Sequence, residues 1–258
     1  MNLFNFDIPH LMTFMLVFIR LGGLIFTMPV FGASTIPTQM KVGLAGLVAF
    51  VVFSVAKIPT VDVTMPMGKY IYLLGGEVMI GLIIGFASQF LFNAVEFAGD
   101  LVGIQIGFGI VNVLDPTTSS QIGITSQFLN TLALLVFLAI NGHHWFIMAA
   151  VKSFDVLPLM GFAPHAGLTD LFISLTAQVM VLAIKLSAPV VATILLLNIG
   201  LGLIARTVPQ MNVFIVGFPL QISLGLFILG MSMPTFYEIL RHYFGAFPET
   251  ALSIMKLL

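Results

Sequence analysis

Residues 76–116 read GEVMIGLIIGFASQFLFNAVEFAGDLVGIQIGFGIVNVLDP, a long stretch in which apolar residues dominate. A helix that crosses the hydrocarbon core of a membrane needs about 20 mostly apolar residues. Backbone polar groups in lipid must be paired within their own segment, which favours a helix over an open strand. The stretch therefore predicts a membrane helix. At about 1.5 Å per residue it exceeds a core of about 30 Å, so tilt, kinks or an extension outside the membrane must accommodate the surplus.

The composition of the whole chain indicates the same class. Of its 258 residues 59% are apolar and only 7% are charged, whereas soluble domains carry about 25% charged residues. The mean hydropathy is +1.15. No stretch rich in Ser, Pro and Gly divides the chain, so we expect one integrated unit. The predicted fold class is all-α, a membrane protein of long apolar helices and hairpins.

Charge and cysteine content exclude several functions. The net charge is −1 and the Lys and Arg residues are not clustered, which excludes the basic surface that nucleic-acid binding needs. The chain has no cysteine, so disulfides, iron–sulfur centres and thiolate zinc sites are excluded. No Lys or Arg precedes Arg20, and we therefore expect the first apolar stretch to be retained rather than removed as a signal peptide.

Charge-free runs and proline positions predict six apolar helices. They lie at about 9–31, 42–58, 70–112, 122–151, 171–205 and 211–241. Lys and Arg are spread at one or two per connection, so the positive-inside rule leaves the membrane orientation open.

One face of the third helix carries small and polar residues. At 100° per residue they fall within an arc of roughly 140°. Small residues four apart let helix backbones approach closely, and ionisable side chains are costly against lipid. The face must meet protein or water, either as a packing seam or as a surface shared with other subunits or a conduit. This polar stripe consists of Gly81, Gly85, Gln89, Asn93, Glu96, Asp100, Gly103 and Gly107.

Residues 171–241 predict a helical hairpin whose turn is 206–211, RTVPQM. Ser174, Gln178 and Lys185 share one face of its first arm, which favours burial of Lys185 against protein. The alternative is a lysine that extends its ammonium group to the membrane interface. The candidate interface residues of the hairpin are Lys185, Arg206, Pro209 and Gln210.

Enzymatic function finds little support in the sequence. His143 and His144 are adjacent, so they diverge on a helix, and no HExxH, GxSxG or phosphate-binding glycine motif accompanies them. We predict no catalytic residue, no cofactor and no metal. The string NGHHW at 141–145 is typical of a helix end at a membrane interface, where tryptophan is enriched.

The third helix should end within residues 106–121, IGFGIVNVLDPTTSSQ. Gly107 and Gly109 loosen it, and Asp115 precedes a proline, which disfavours helix. The segment is nevertheless apolar and should contact protein. One interpretation is a re-entrant loop packed against its own subunit. The candidate residues of this loop are Phe108, Ile110, Val111, Val113, Leu114, Asp115 and Pro116.

Several stretches together resemble the FliR family, called SctT in virulence systems, and they occur in the expected order over most of the chain. They are RLGGLIFTMPVFGASTIPTQMKVGLA (20–45), GEVMIGLIIGF (76–86), GDLVGIQIGFGIVNVLDP (99–116), NGHHW (141–145) and APVVATILLLNIGLGLIARTVPQMNVFIVGFPLQISLGL (188–226). The most specific features are Asp115-Pro116 after a glycine-rich helix, Arg206 with Pro209-Gln210, and Gly217 with Pro219.

The resemblance implies a component of a type III export gate, flagellar or virulence. In such a gate one FliR-like subunit joins several FliP-like and FliQ-like subunits, together with FlhB-like and FlhA-like components. Unfolded substrates then cross the bacterial inner membrane through the shared pore. Within the family the N-terminal part resembles FliP and the C-terminal hairpin resembles FliQ, which implies parts at 1–170 and 171–258.

The resemblance also implies two features of the assembled gate. The segment at 106–121 would project into the lumen and help to plug the closed pore, because an apolar constriction can exclude ions by dewetting. The gate would stand in a flagellar basal body or an injectisome, surrounded in part by lipid and held largely above the membrane plane on the periplasmic side. That position would explain helices too long for simple spans.

A secondary transporter or small-solute channel is the rival interpretation. Glu96, Asp100 and Lys185 would then be its ion or proton residues, near a site formed by broken helices. Such a protein should function alone or as a homo-oligomer, whereas an export gate requires different partner chains.

Overall fold

The computed structural model describes residues 7–56, 58–61, 64–108, 123–163, 165, 167–210 and 212–258. Within these ranges every regular element is a helix, which confirms the predicted all-α class. The helices are α1 (Ile8–Thr27), α2 (Thr38–Val55), α3 (Met67–Ile106), α4 (Ile124–Ala139), α5 (Gly142–Val156), α6 (Gly167–Thr207) and α7 (Val213–Met255).

Five helices in the described part of the chain are long and apolar enough to cross a membrane: α1, α2, α3, α6 and α7. The chain bends by 67° between α4 and α5, which together could form one broken span. The prediction of one continuous helix over 122–151 is therefore wrong. Asn141 interrupts it with φ 57° and ψ 33°, left-handed values that asparagine adopts more readily than most residues.

The predicted end of the third helix is confirmed at Gly107. This glycine has a φ of +100°, a left-handed conformation that L side chains rarely adopt. The N–H of Gly107 donates to the carbonyl of Ile104 at 3.2 Å, and the N–H of Phe108 donates to the carbonyl of Gly103 at 2.9 Å. These two bonds are the Schellman arrangement that ends many helices.

The last helix is longer than the pattern predicts, since α7 continues from residue 241 to Met255. Its C-terminal part carries buried apolar side chains three or four residues apart, which lie on one side of a helix. Packing therefore extends the helix through Pro248. The buried residues are Leu240, Phe244, Phe247, Ala251 and Ile254.

The chain divides into two compact units. Unit 1 comprises Met1–Phe90, Asn141–Leu175 and Gly245–Leu258, and unit 2 comprises Leu91–Ile140 and Thr176–Phe244. The helices α3, α6 and α7 each contribute a part to both units. The predicted division near residue 170 concerns likeness to two other subunits rather than compactness, and it stays a prediction.

Each unit has its own apolar core. In unit 1, Leu16 and Val17 of α1 are fully buried, and the rings of Phe146 and Phe247 stack at 4.5 Å. In unit 2 the rings of three phenylalanines meet at centroid distances of 5.2, 5.4 and 5.7 Å; they are Phe92, Phe137 and Phe244.

Much apolar surface remains outside these cores. Only 33% of the most apolar window of α6 and 17% of that of α7 is buried within the chain. Leu196 of α6 and Phe227 of α7, for example, are 68% and 62% exposed. The longest helix, α7, is therefore the least covered of the five, and α6 is less covered than α1 and α3.

Candidate functional site

The first part of the polar stripe packs against α1 inside unit 1. A Cβ atom on Gly81 would overlap the carbonyl oxygen of Arg20, and one on Gly85 would overlap the hydroxyl of Thr27. Gln89 then donates from Nε2 to the carbonyl of Thr27 at 2.8 Å. These three stripe residues form a packing seam within the chain, because they let the backbones of α1 and α3 approach closely.

The last part of the stripe packs against the first turn of α4 in unit 2. Ser126 donates from Oγ to Oδ1 of Asp100. A Cβ atom on Gly99 would lie 2.8 Å from the backbone nitrogen of Ser126, and one on Gly103 would lie 3.3 Å from Oγ1 of Thr125. Here the glycines again allow direct backbone contact between two helices.

Along α3, Asn93 and Glu96 lie between the residues of these two seams, and neither belongs to a seam. Asn93 is exposed and Glu96 is half-buried. Among the described residues Glu96 forms no ion pair. Since an ionisable group is costly against lipid, this short section is the part of the stripe still open to water or to another chain.

The stripe ends at Gly107, whose Cβ position faces the ring of Phe218 at 3.3 Å in unit 2. Phe108 is half-buried just beyond it. The remaining loop residues lie outside the described residues, so their role stays a prediction; they are Ile110, Val111, Val113, Leu114, Asp115 and Pro116.

The hairpin is joined by a short turn after Thr207 and carries two polar contacts within unit 2. Lys185 is exposed, and its ammonium group donates to the hydroxyl of Tyr243 at 3.1 Å. Farther along, Gln221 donates from Nε2 to Oδ1 of Asn198 at 2.5 Å. Burial of Lys185 against protein therefore needs another chain. The turn residues Arg206, Pro209 and Gln210 are exposed.

A buried charged cluster in unit 1 was missed by sequence reasoning. Arg20 of α1 is 1% exposed and Glu77 of α3 is fully buried, and Arg20 Nε donates to Glu77 Oε2. The same guanidinium donates to the carbonyls of Ser153 at 3.1 Å and Leu157 at 2.8 Å. The other carboxylate oxygen of Glu77 accepts from the N–H of Met160 at 2.9 Å.

This cluster joins three segments through satisfied hydrogen bonds. The guanidinium lies at the C-terminus of α5, where unpaired carbonyls and the helix dipole favour a cation. It also lies 4.4 Å from the ring centre of Phe154. The sequence contained a usable signal, because a single Arg in one apolar helix and a Glu in another each require a buried partner.

His143 and His144 lie next to each other in the first turn of α5. The rings of His143 and His144 are 4.3 Å apart, and Nδ1 of His143 is buried with no hydrogen-bond partner among the described residues. Within the described ranges no group of three or more His, Asp or Glu side chains converges as a metal site would require.

Comparison with known proteins gives one consistent result. Residues 11–247 match the model of the family described as bacterial export proteins, family 1. The flagellar biosynthetic protein FliR of Bacillus subtilis is 35% identical over 248 residues, which are 95% of each chain. FliR of Escherichia coli is 31% identical, covering 88% of this chain and 86% of its own. FliR of Aquifex aeolicus is 32% identical, covering 92% and 91%.

Proposed function

We propose, because this chain belongs to family 1 of the bacterial export proteins, that it is the FliR-like subunit of a type III export gate. It would assemble with FliP-like and FliQ-like subunits, and with FlhB-like and FlhA-like components, around a pore in the inner membrane. Unfolded proteins pass through that pore. The role is structural, and no reaction is assigned to it.

The exposed apolar surface of the two long helices carries the proposal. The helices α6 and α7 have 41 and 43 residues, which at about 1.5 Å per residue is roughly 60 Å, against a membrane core of about 30 Å. Lipid alone covers about half of such a length. The remaining length should pack against other apolar chains, since large exposed apolar surfaces mark interaction sites.

The arrangement of charged groups disfavours the transporter alternative. Asp100 accepts from Ser126, and Lys185 donates to Tyr243. Neither pairs with Glu96 among the described residues. A shared ion or proton site would bring such groups together around one position, whereas these three have separate surroundings.

The stoichiometry of the complex tests the proposal. The chain should be produced with the FliP-like and FliQ-like chains of the same organism, extracted in mild detergent and weighed by native mass spectrometry. We expect one kind of complex, with a single copy of this chain, because its FliP-like part (1–170) and FliQ-like part (171–258) would close a ring of similar subunits. Two copies, or a stable homo-oligomer, would contradict the proposal.

A surface variant sharpens the same experiment. Leu196→Gln places a polar group on the exposed face of α6 and should reduce the yield of complex while the isolated chain remains soluble in detergent at the wild-type level. Ser174→Gln, at an exposed polar position of the same helix, is the matched control and should assemble normally. Equal assembly of both variants would show that this face of α6 is not an interface.

The loop at 106–121 would act in the proposed gate as a plug. Deletion of residues 110–117 should let small ions leak through the resting assembly while the complex still forms, because the apolar constriction is removed. Membrane conductance of cells that express the full gate measures the leak, and native mass spectrometry checks assembly. An assembled deletion complex as ion-tight as wild type would show that the loop does not plug the pore.

A further inference from the structure

A groove between α2 and α5 in unit 1 is lined entirely by apolar side chains. Five residues of α2, its C-cap residue Ala56, and Ile147 and Val151 of α5 form this α2–α5 groove. Its volume is about 330 Å³, near the lower end of the range of about 300–1,000 Å³ that small-molecule sites occupy. No polar atom of the described residues lines the groove, so water there would find no hydrogen-bond partner. An apolar ligand is therefore the occupant that the lining favours.

The walls of the groove are stiff and open to the surroundings. Four of the lining residues of α2 are valines, namely Val48, Val51, Val52 and Val55. A valine in a helix has one strongly preferred side-chain rotamer, so the groove keeps its shape without an occupant. Val51 and Val55 are 58% and 76% exposed. A ligand can therefore enter from the side of α2 without unfolding any element.

The length of the groove matches half of a membrane. The helix α2 has 18 residues and is apolar enough to cross a membrane, with only 22% of it buried within the chain. At about 1.5 Å per residue it spans roughly 27 Å, close to a hydrocarbon core of about 30 Å. The groove follows residues 47–56, which is roughly 15 Å. An acyl chain of one lipid leaflet has this length.

Two exposed charges follow the groove along α5. Lys152 and Asp155 come one and four residues after the lining residue Val151, in the last two turns of the helix. Residues three apart are neighbours on a helix surface, yet these two side chains form no ion pair among the described residues. A cation and an anion thus lie side by side beyond an apolar groove, both open to a ligand.

We propose that the α2–α5 groove binds one acyl chain of an aminophospholipid, whose phosphate contacts Lys152 and whose ammonium group contacts Asp155. Such a headgroup carries both charges that the pair complements. An anionic lipid without an ammonium group would pair with Lys152 but would be repelled by Asp155. This inference concerns the chain alone and does not depend on the proposed gate.

Filling the groove tests the acyl chain. The purified full chain, freed of lipid in detergent, is titrated with dioleoyl phosphatidylethanolamine, and the adduct of one lipid is measured by native mass spectrometry. Val51→Trp should reduce that adduct at least about tenfold, because each methylene kept out of the groove costs about fourfold in affinity. Val55→Trp fills the same groove at a more exposed position and serves if Val51→Trp does not fold. Val42→Trp, on the same helix at an exposed position outside the lining, is the matched control and should bind as wild type.

Substitution of the two charges tests the headgroup. Dioleoyl phosphatidylglycerol has the same acyl chains but no ammonium group, so wild type should bind it more weakly than the ethanolamine lipid. Lys152→Gln should weaken both lipids by about threefold, since both carry the phosphate and one exposed charge contact is worth about that factor. Asp155→Asn should weaken the ethanolamine lipid and strengthen the glycerol lipid, each by about threefold, because one loses an attraction and the other a repulsion.

Each outcome decides one part of the proposal. Wild-type binding by both tryptophan variants would show that the groove holds no acyl chain, and a loss of assembly in the same variants would assign it to a partner chain instead. Equal binding of the two lipids, unchanged by Lys152→Gln and Asp155→Asn, would overturn the headgroup assignment. Loss of the adduct in Val51→Trp but not in Val42→Trp, with opposite responses of the two lipids to Asp155→Asn, supports the proposal.

Discussion

The charged groups of the buried cluster in unit 1 and those of the α6–α7 hairpin differ in how far their own chain encloses them. Arg20 and Glu77 are enclosed, and backbone groups of their own chain satisfy both charges. Lys185 has one contact, to Tyr243, and remains exposed. Both regions have a cation in an apolar helix, but only the cation of unit 1 is both buried and hydrogen-bonded within its own chain.

The buried cluster is therefore stabilised by contacts within the chain, whereas we propose that the hairpin is covered by partner subunits. A buried ion pair contributes little net stability, but removal of one partner is costly because the other charge stays buried. An exposed hydrogen bond of a lysine contributes little to stability, so its removal should cost little. Substitutions in unit 1 should therefore affect the isolated chain, whereas substitutions in the hairpin should affect assembly.

The largest effect is expected for Arg20→Leu. It leaves the carboxylate of Glu77 buried without its cation and should destabilise the chain by about 3–5 kcal/mol. Thermal unfolding of the purified chain in detergent measures this, and the fluorescence of Trp145, the single tryptophan of the chain, can follow it. The double variant Arg20→Leu with Glu77→Leu should recover most of the loss, since no unpaired charge remains. A double variant as unstable as the single one would contradict this account.

A smaller effect is expected where glycine permits the contact of α1 with α3. Gly81→Ala forces a methyl group onto the carbonyl of Arg20 and should cost about 1–3 kcal/mol. Gly75 is the matched control on the same helix, because a Cβ there meets no atom within 4 Å. Gly75→Ala should stabilise the helix by up to about 1 kcal/mol. Equal changes in stability for the two substitutions in the same unfolding assay would show that the close contact at Gly81 does not cause the effect.

The features predicted correctly are those that local pattern determines. Long apolar runs predicted the helices because lipid-facing backbone must pair within its segment. The end of α3 followed from Gly107, since glycine readily adopts the positive φ observed there. The small residues Gly81 and Gly85 predicted a close helix contact, which the structure places against α1.

Two of the features that were missed depend on contacts distant in sequence, and the third depends on the conformation of one residue. Arg20 lies 57 residues from Glu77, and neither helix alone indicates which partner completes the charge. The bend at Asn141 is decided by one left-handed residue, which an apolar pattern tolerates on either side. The extension of α7 to Met255 depends on side chains that become buried only when other segments pack against them.

The smallest effect on the isolated chain is expected for Lys185→Ala, and it tests the comparison most directly. Because Lys185 is exposed and contacts only the hydroxyl and ring of Tyr243 among the described residues, its loss should change stability by less than about 1 kcal/mol. In the assembled complex the same substitution should weaken association, since a group of the neighbouring chain that is buried against Lys185 would lose its cationic partner. Tyr243→Phe is the matched control, as it removes only the acceptor of Lys185. Detergent titration of isolated chain and complex, compared by native mass spectrometry, measures both. If Lys185→Ala leaves the complex as stable as wild type, the lysine merely extends to the membrane interface and the hairpin is completed by other contacts.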